Sequence, residues 1–188
     1  MRRAEALQII QEVFGPKGVL LSTTGMISRE LFALGDRPNQ FYMIGSMGLL
    51  SSFGLAVSLL RPERPVVILD GDGSFLMGLS TLPLMANGGR LIHLVLDNGI
   101  YESTGGQPRP GGHLSLADIA ASAGYRNVYT LSSPTELRET LDVIKPGPSF
   151  FWIKVSPKGT PGIGRVSIPP EVLTQRLREY LKSESETA

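Results

Sequence analysis

Four short polar runs in the chain carry residue types that bind a phosphate or a hard cation. Each follows an apolar segment: Ser22-Thr23-Thr24-Gly25, Gly45-Ser46-Met47-Gly48, Asp70-Gly71-Asp72-Gly73-Ser74 and Asp97-Asn98-Gly99. Glycines let backbone N–H groups approach a phosphate closely, and a helix that begins at Ser74 would direct its positive end at the same anion. The side-chain oxygens of Asp72 and Asn98 suit Mg²⁺, which bridges carboxylates and phosphates. Asn98-Gly99 alone is more typical of a turn, but the runs together predict a pocket for phosphate and cation.

The spacing of the apolar segments predicts the framework that brings these runs together. Strand-length apolar segments lie at 18–22, 40–44, 65–69, 91–96, 127–131 and 150–155. Helical candidates lie near 3–14, 27–34, 47–60, 75–87, 115–123, 134–145 and 170–182. This alternation is typical of an α/β fold with a doubly wound, mainly parallel six-stranded sheet and helices on both faces. Ligands bind beyond the carboxyl ends of the strands in such sheets, and the polar runs lie at those ends.

Length and composition exclude several classes of protein. The 188 residues suit one domain over 1–188, with a frayed tail at 182–188. Eighteen basic and seventeen acidic residues show no cationic cluster, which argues against a nucleic-acid partner. The absence of cysteine and the presence of only two histidines exclude disulfides, thiolate metal sites and a poly-histidine metal site.

The uncharged segment 38–60 is long enough to resemble a membrane span. Its glycines and serines favour a buried strand, a tight turn and a buried helix instead. We also recognise no signal peptide at the N-terminus. The expectation is therefore a cytoplasmic protein without a membrane partner.

The run Gly71-Asp72-Gly73-Ser74, followed further along by Asp97-Asn98, resembles the cofactor motif of thiamine diphosphate (ThDP)-dependent enzymes. The stretch 96–108, together with the runs at 22–25, 28–31 and 45–48, is similar to sulfopyruvate and phosphonopyruvate decarboxylases. The sequence departs from the family pattern at Asp97, where an Asn is usual. The resemblance covers nearly the whole chain and implies a diphosphate-binding (PP) domain, similar in span to a sulfopyruvate decarboxylase β subunit.

The resemblance also implies a role for individual positions. Asp72, Asn98 and the carbonyl of Ile100 would bind Mg²⁺, which holds the diphosphate of ThDP. The implied cofactor-binding positions are Thr23, Thr24, Gly45, Ser46, Met47, Gly71, Asp72, Gly73, Ser74, Asn98 and Ile100. Among them, Gly45 would leave room for the aminopyrimidine ring and offer it a carbonyl.

Two residues are candidates for a direct part in catalysis. Met47 matches the apolar residue that wedges between the two cofactor rings and bends the cofactor; the alternative is plain core packing. Glu102 lies in the loop that enters the predicted site, where it would help to protonate the reacting carbon. The alternative for Glu102 is a solvated loop carboxylate.

The loops 99–112 and 157–166 are rich in Gly and Pro, and loops of this length are often functional. Arg109, Lys158 and Arg165 lie on them and would either meet a sulfonate or phosphonate or serve surface solubility. His113 is either a proton donor, a lid residue or an ordinary loop histidine. His93, in contrast, lies among apolar strand residues and is expected in the core.

The implied activity is decarboxylation of a small anionic 2-oxoacid, with sulfopyruvate giving sulfoacetaldehyde and carbon dioxide. Alternatives are a phosphonopyruvate decarboxylase, the PP half of another ThDP enzyme, and a non-enzymatic, flavodoxin-like phosphate- or nucleotide-binding module. In the family the activating glutamate lies on a separate pyrimidine-binding (PYR) domain of about 150 residues. The sequence shows no second array for it, so an α subunit is expected, with the site at the subunit interface and segment 38–60 partly facing it.

Overall fold

A six-stranded parallel sheet forms the centre of the protein, which a computed structural model describes over residues 1–15 and 17–183. The strands in chain order are β1 (Val19–Ser22), β2 (Gln40–Tyr42), β3 (Val66–Gly71), β4 (Leu91–Asp97), β5 (Ile100–Tyr101), β6 (Gln107–Pro108), β7 (Asn127–Leu131) and β8 (Ser149–Lys154). The main sheet has the order β2-β1-β3-β4-β8-β7, and all its neighbours are parallel. The strand order reverses at β1 and β3, and the carboxyl ends there form the crevice where such sheets bind ligands.

Helices cover both faces of this sheet, so the predicted fold class is confirmed. The helices are α1 (Arg3–Phe14), α2 (Met26–Ala33), α3 (Leu50–Leu60), α4 (Asp72–Met77), α5 (Leu82–Met85), α6 (Leu116–Ser122), α7 (Pro134–Asp142) and α8 (Pro170–Ser183). Helices α1, α2 and α7 pack on one face, and α3, α5 and α6 pack on the other. Because both faces are buried, the central strands are apolar at nearly every position instead of alternating.

Side-chain alternation within the strands separates the two cores. In β3, Val67 and Leu69 face the core under α1, whereas Val66 and Ile68 face the core under α3. A Cβ at Gly54 of α3 would lie 2.4 Å from Cδ1 of Ile68, so this helix approaches the sheet closely only because the position is glycine.

The helix predicted over 75–87 is wrong in its bounds, because the structure divides that segment. Helix α4 begins at Asp72, ahead of the predicted start at Ser74, and ends at Met77; a 3₁₀ turn (Leu79–Thr81) and α5 follow. A Cβ at Gly78 would lie 2.6 Å from the carbonyl oxygen of Gly48. The close approach of the 45–48 turn therefore falls at the break, and a proline in the first turn of α5 prevents a continuous helix.

The helix predicted over 47–60 begins later, at Leu50. Gly45, Ser46 and Gly48 have φ values of 86°, 56° and 87°, which right-handed helices do not allow. The loop 99–112, predicted without regular structure, contains the antiparallel hairpin of β5 and β6.

The predicted membrane-like segment 38–60 folds as β2, the turn and α3. Over residues 1–15 and 17–183, no helix has the length and apolar character needed to cross a membrane. Helix α8 continues through Ser183, so residues 182 and 183 of the predicted tail are helical. Residues 184–188 of that tail lie outside the described residues.

Candidate active site

A cavity opens at the carboxyl ends of β1, β3 and β4 and brings most of the predicted site residues together. It is lined by Arg3, Thr23, Thr24, Met26, Ile27, Met47, Gly71, Asp72, Gly73, Ser74, Leu96, Asn98, Ile100, Tyr101, Glu102 and Ser103. Gly45 and Ser46 lie beside this lining. The N–H of Gly45 donates to Oγ1 of Thr24 at 3.1 Å, which places the turn after β2 next to the loop after β1.

The hydroxyl of Ser74 is oriented by two neighbouring loops. Its Oγ accepts a hydrogen bond from Oγ1 of Thr23 at 3.1 Å and another from the N–H of Gly48 at 3.0 Å. Ser74 and Thr23 are 1 % and 4 % exposed, so the arrangement is shielded from water. A hydroxyl has two acceptor lone pairs and one proton. With both acceptors used, Ser74 has its proton to donate, which suits it to an anion in the cavity.

The turn 45–48 holds Met47 at the edge of the cavity. Ser46, at φ 56°, is the only non-glycine residue with a positive φ in the described part of the chain, which marks a constrained backbone. The side chain of Met47 is 36 % exposed and lines the cavity. The core-packing alternative for Met47 is therefore wrong, because the structure places this side chain at a surface that a ligand can reach.

The start of α4, which follows β3 directly, meets the loop after β4 at Asp72. The N–H of Gly99 donates to Oδ2 of Asp72 at 3.2 Å, and the N–H of Ile100 donates to Oδ1 of Asn98 at 3.2 Å. These contacts bring the two predicted side-chain ligands to the same end of the sheet. A carboxylate and an amide, both with oxygen donors, fit the preference of Mg²⁺ for oxygen and for sites completed by phosphate and water.

Asp72 and Asp97 form a buried carboxylate pair. Each is less than 5 % exposed, and the N–H of Gly99 donates to Oδ1 of Asp97 at 2.9 Å as well as to Asp72. Burial, together with the neighbouring Asp97, raises the pKa of Asp72. Burial also acts to raise the pKa of Asp97, but contacts with Lys154, Asp72 and Trp152 outweigh it and hold that pKa below its usual value. The pair therefore shares less than two full negative charges at moderate pH.

Arg109 lies buried against this pair, which corrects the expectation that it either meets a sulfonate or phosphonate or serves surface solubility. The residue is 6 % exposed, and its Nε lies 3.0 Å from Oδ2 of Asp72 and 3.5 Å from Oδ1 of Asp97. Pairing of Ile100 with Pro108 in the β5–β6 hairpin brings Arg109 back to the loop that follows β4. The backbone N–H of Arg109 then donates to the carbonyl of Gly99 at 3.0 Å.

A second buried ion-pair network supports the other side of the cavity. Arg3, in the first turn of α1, donates to both oxygens of Glu30 in α2 at 2.9 and 3.2 Å and to Oε2 of Glu102 at 2.8 Å. Backbone N–H groups of the 157–166 loop donate further hydrogen bonds to the two carboxylates. The N–H of Gly159 donates to Glu102 at 2.8 Å, and that of Thr160 donates to Glu30 at 2.6 Å. The network ties the first helix to two loops at the site.

Glu102 lines the cavity as predicted, but both of its oxygens already have partners. Oε2 accepts from Arg3 and Oε1 accepts from the N–H of Gly159. Its side chain is 18 % exposed, so it is not the solvated loop carboxylate of the alternative. These contacts support a role in holding the loops together, and the catalytic role of Glu102 stays a prediction.

The remaining ionisable candidates separate clearly. His93 is completely buried, with Nδ1 2.7 Å from the hydroxyl of Tyr125, so the prediction of a core histidine is confirmed. His113 is exposed on the surface. Lys158 and Arg165 are exposed and line two neighbouring cavities, which share the residues Met26, Thr24 and Ser103, among others, with the candidate site. Those cavities share Arg29, a half-buried residue at their common wall.

Arg3 and Glu30 were given no role at the site by their sequence context, and Arg109 was expected in a different role. A signal for Arg3 was present, because it lies at helical spacing with Ala6, Leu7 and Ile10, all on the buried face of α1. A charged residue on that face needs a buried partner. No comparable signal exists for Arg109, since its position depends on a hairpin of two-residue strands.

Comparison with known protein families identifies a match over most of the chain. The family described as thiamine pyrophosphate enzyme, C-terminal TPP binding domain, matches residues 23–155. The match begins at Thr23 and includes every predicted cofactor-binding position. The polar runs at 45–48, 70–74 and 97–99 and the β5–β6 hairpin lie within it.

Curated relatives include decarboxylases of two different lengths. A phosphonopyruvate decarboxylase of Streptomyces hygroscopicus is 40 % identical over 95 % of this chain, which matches 45 % of that protein. A sulfopyruvate decarboxylase subunit beta of Methanothermobacter thermautotrophicus is 35 % identical over 99 % of this chain and 98 % of its own length. The chain thus spans about half the length of the first relatives and nearly all of the second.

Solved structures share the fold at low sequence identity. Benzoylformate decarboxylase from Polynucleobacter necessarius superposes with a TM-score of 0.72 at 19 % identity, covering 86 % of this chain and 34 % of that chain. A 2-oxoglutarate:ferredoxin oxidoreductase from Magnetococcus marinus gives a TM-score of 0.70 at 18 % identity, covering 87 % and 64 %.

Proposed function

This chain belongs to the thiamine pyrophosphate enzymes, through their C-terminal TPP-binding domain, and we propose that it is the diphosphate- and Mg²⁺-binding subunit of a ThDP-dependent 2-oxoacid decarboxylase. One observation carries the proposal: Asp72 and Ser74 in the first turn of α4, after β3, and Asn98 in the loop after β4 converge on one cavity at the strand-order switch. We further propose that residues 1–188 act as one such domain in the cytoplasm.

The residues present fit the cofactor. Asp72, Asn98 and the carbonyl of Ile100 would hold Mg²⁺, and the remaining positions of the ion would go to diphosphate oxygens and water. Ser74 has an oriented proton for the diphosphate, since both its acceptor positions are used inside the protein. Thr23, Thr24 and the backbone of Gly73 line the same wall of the cavity.

Bound ThDP would supply an electron sink for the electron pair released when carbon dioxide leaves a 2-oxoacid. This chain's residues would bind the cofactor, orient it and shield it from water. Met47 would contact the cofactor rings from the edge of the cavity, and Gly45 and Ser46 would lie against the aminopyrimidine. The hydroxyl pair of Thr23 and Ser74 fixes where the anionic end of the cofactor sits, which in turn fixes the position of its reactive end.

The proposed substrate is sulfopyruvate, which would give sulfoacetaldehyde and carbon dioxide, because the relatives that share this chain's length are sulfopyruvate decarboxylase β subunits. Phosphonopyruvate is the second candidate, favoured by the higher identity of the phosphonopyruvate decarboxylases. The chain itself places cations near the site on exposed loops, at Lys158 and Arg165, which would suit either anion. Turnover of the two acids and of pyruvate, compared on one preparation, distinguishes the candidates.

We propose that activity requires a PYR-domain α subunit, with the cofactor at the interface. Large apolar side chains near the cavity support this. Ile44 and Leu49 flank the 45–48 turn and are 57 % and 55 % exposed, and Met77 and Leu84, on the adjoining helices, are 56 % and 57 % exposed. Apolar surface of this kind on a folded protein commonly marks a binding face. Steady decarboxylation by the purified chain alone would contradict this part of the proposal.

Calorimetric titration of the full chain, alone and co-expressed with a candidate α subunit, tests the proposed function. ThDP should bind only when Mg²⁺ is present, and thiamine, which has no diphosphate, should bind far more weakly. Asp72→Asn should remove the Mg²⁺ dependence. If both preparations bind FMN or a nucleotide and neither binds ThDP, the chain is a phosphate-binding module and the proposed function is wrong.

A further inference from the structure

Asp72 and Asp97 share the same two donors. Oδ2 of Asp72 and Oδ1 of Asp97 both contact the N–H of Gly99, at 3.2 and 2.9 Å, and both contact Nε of Arg109, at 3.0 and 3.5 Å. The two carboxylate oxygens therefore face each other across these groups. When both are ionised, as Asp72 must be to bind Mg²⁺, two carboxylates that share their donors repel each other unless a cation lies between them.

Within the described part of the chain, Arg109 is the cation in contact with both carboxylates, and hydrogen bonds to backbone carbonyls hold it there. Its Nη1 donates to the carbonyl of Gly111 at 2.9 Å, and its N–H is bonded to the carbonyl of Gly99. Its Nε makes no aligned hydrogen bond with any described residue, so its contact with the pair is one of charge. Lys154 also neutralises Asp97, at 2.8 Å, but it contacts Oδ2, whereas the oxygen of Asp97 that shares donors with Asp72 is Oδ1.

The need for Arg109 follows from the residue at position 97. An Asn there would carry no charge and would offer an amide N–H to Asp72, whereas Asp97 offers only acceptors and a negative charge. Asp97 is also held in place by Trp152, whose indole Nε1 donates a hydrogen bond to Oδ2 at 2.7 Å. The Asp97 side chain therefore cannot readily rotate away from Asp72.

We propose that Arg109 is a positioning residue for the cation ligand Asp72. Its guanidinium offsets the charge of Asp97 and occupies Oδ2 of Asp72, so that Asp72 stays in place and presents its other oxygen to Mg²⁺. The inference rests on the proposed function, because it takes Asp72 as a Mg²⁺ ligand. The opposite role, in which Arg109 occupies the cation's own position and competes with it, predicts the opposite sign in the experiment below.

Fluorescence of Trp152 gives a direct measure of Mg²⁺ binding, because the chain contains one tryptophan and its indole is bonded to Asp97. The full chain is titrated with Mg²⁺ at a fixed, saturating concentration of ThDP, and the midpoint of the change is compared between variants. Arg109→Met keeps the length of the buried stem and removes the charge. We expect it to raise the Mg²⁺ midpoint by at least about tenfold, as loss of a group that orients a metal ligand typically does.

Rescue separates positioning from general destabilisation. The double variant Asp97→Asn/Arg109→Met should return the midpoint to within about threefold of Asp97→Asn alone, since the charge that Arg109 offsets is then absent. Lys154→Met is the matched control: it removes a cation from Asp97 without touching Asp72 and should shift the midpoint by less than about threefold. Thermal melting checks that each variant is folded. If Arg109→Met is not folded, Arg109→Lys, which keeps the charge, takes its place in the titration.

Two results overturn the inference. If the Mg²⁺ midpoint of Arg109→Met equals that of the wild type, Arg109 has no effect on Mg²⁺ binding. If it lies below that of the wild type, Arg109 competes with the cation. An unrescued double variant would show that the loss comes from packing. A wild-type chain whose fluorescence and melting temperature do not respond to Mg²⁺ and ThDP, either alone or in complex with the α subunit, would instead overturn the proposed function.

Discussion

Nη1 of Arg3 and Oε2 of Glu102 form an ion pair of 2.8 Å between the first turn of α1 and the loop that follows β5. The pair joins residues 99 positions apart in the sequence. Arg3 is 4 % exposed and also binds Glu30, so the first helix takes part in building the wall of the candidate active site.

We expect Arg3→Met to destabilise the protein strongly. Removing one member of a buried ion pair leaves the other charge without compensation, which costs about 3–5 kcal/mol. The measurement is urea unfolding at neutral pH. Arg2→Met is the matched control, because Arg2 also pairs with a glutamate, Glu5, but its side chain is 76 % exposed, and its loss should cost no more than about 1 kcal/mol. Equal effects of the two variants would contradict the network described above.

Glu102→Gln distinguishes a proton donor from a group that anchors loops. A general acid contributes about 10²–10⁴ to the rate, so its replacement by an amide would lower kcat by that factor. We expect less than about tenfold, together with a lower melting temperature, because the amide oxygen can keep the Gly159 bond while the ion pair with Arg3 is lost. The readouts are kcat of the assembled enzyme and thermal unfolding. A hundredfold loss of kcat with unchanged melting would establish the catalytic role.

Met47→Ala should separate function from stability. The side chain lies at the cavity edge, so its truncation should change the free energy of unfolding by only about 0.5 kcal/mol. Met85→Ala, at a completely buried methionine of α5, should cost about 2–5 kcal/mol. In the assembled enzyme, Met47→Ala should lower kcat while Met47→Leu, of similar volume, keeps most of it. A Met47→Ala variant with full kcat would exclude the proposed contact with the cofactor.

Asp72 and Asp97 should affect stability in opposite directions when metal is absent. Burial and the nearby Asp97 raise the pKa of Asp72 from 3.8 to about 7, so the folded state binds the proton more tightly than the unfolded state. Its contribution to stability is therefore full below pH 3.8 and is lost as the pH rises from 3.8 through about 7. Asp72→Asn removes the loss, and its melting temperature should exceed that of the wild type by an amount that grows between pH 4 and 7.

The contribution of Asp97 to stability depends on pH in the opposite direction. Burial opposes its ionisation, but Lys154 and Trp152 hold its pKa at about 2, below 3.8, so its contribution is present above 3.8 and lost as the pH falls toward 2. Asp97→Asn should therefore lower the melting temperature at pH 7. The experiment is a melting series from pH 3 to 8 with a chelator. Variants that shift in the same direction would contradict the assigned protonation of the pair.

Much of the fold could be read from the sequence, because the information is local. The strands were predictable from continuous apolar runs, since both faces of the sheet are covered, and α7 from the capping box that Ser133 and Glu136 form. The break at Gly78 was not predictable, because it arises where a distant turn approaches the backbone. The hairpin of β5 and β6 was missed because strands of two residues have no period to detect.

The sequence by itself determined the parts of the site that come from one loop at a time: Gly71 to Ser74, Asn98 with Ile100, and the turn that carries Met47. Their chemistry follows from residue type, and their meeting point follows from the rule for parallel strands. Only the tertiary structure decided which charges meet. Arg3 with Glu102, and Arg109 with Asp72 and Asp97, are contacts between separate elements, and burial alone makes them strong. Neither the spacing nor the composition of the sequence indicates that these charges are buried. Their burial arises only when the sheet, the hairpin and the first helix pack together.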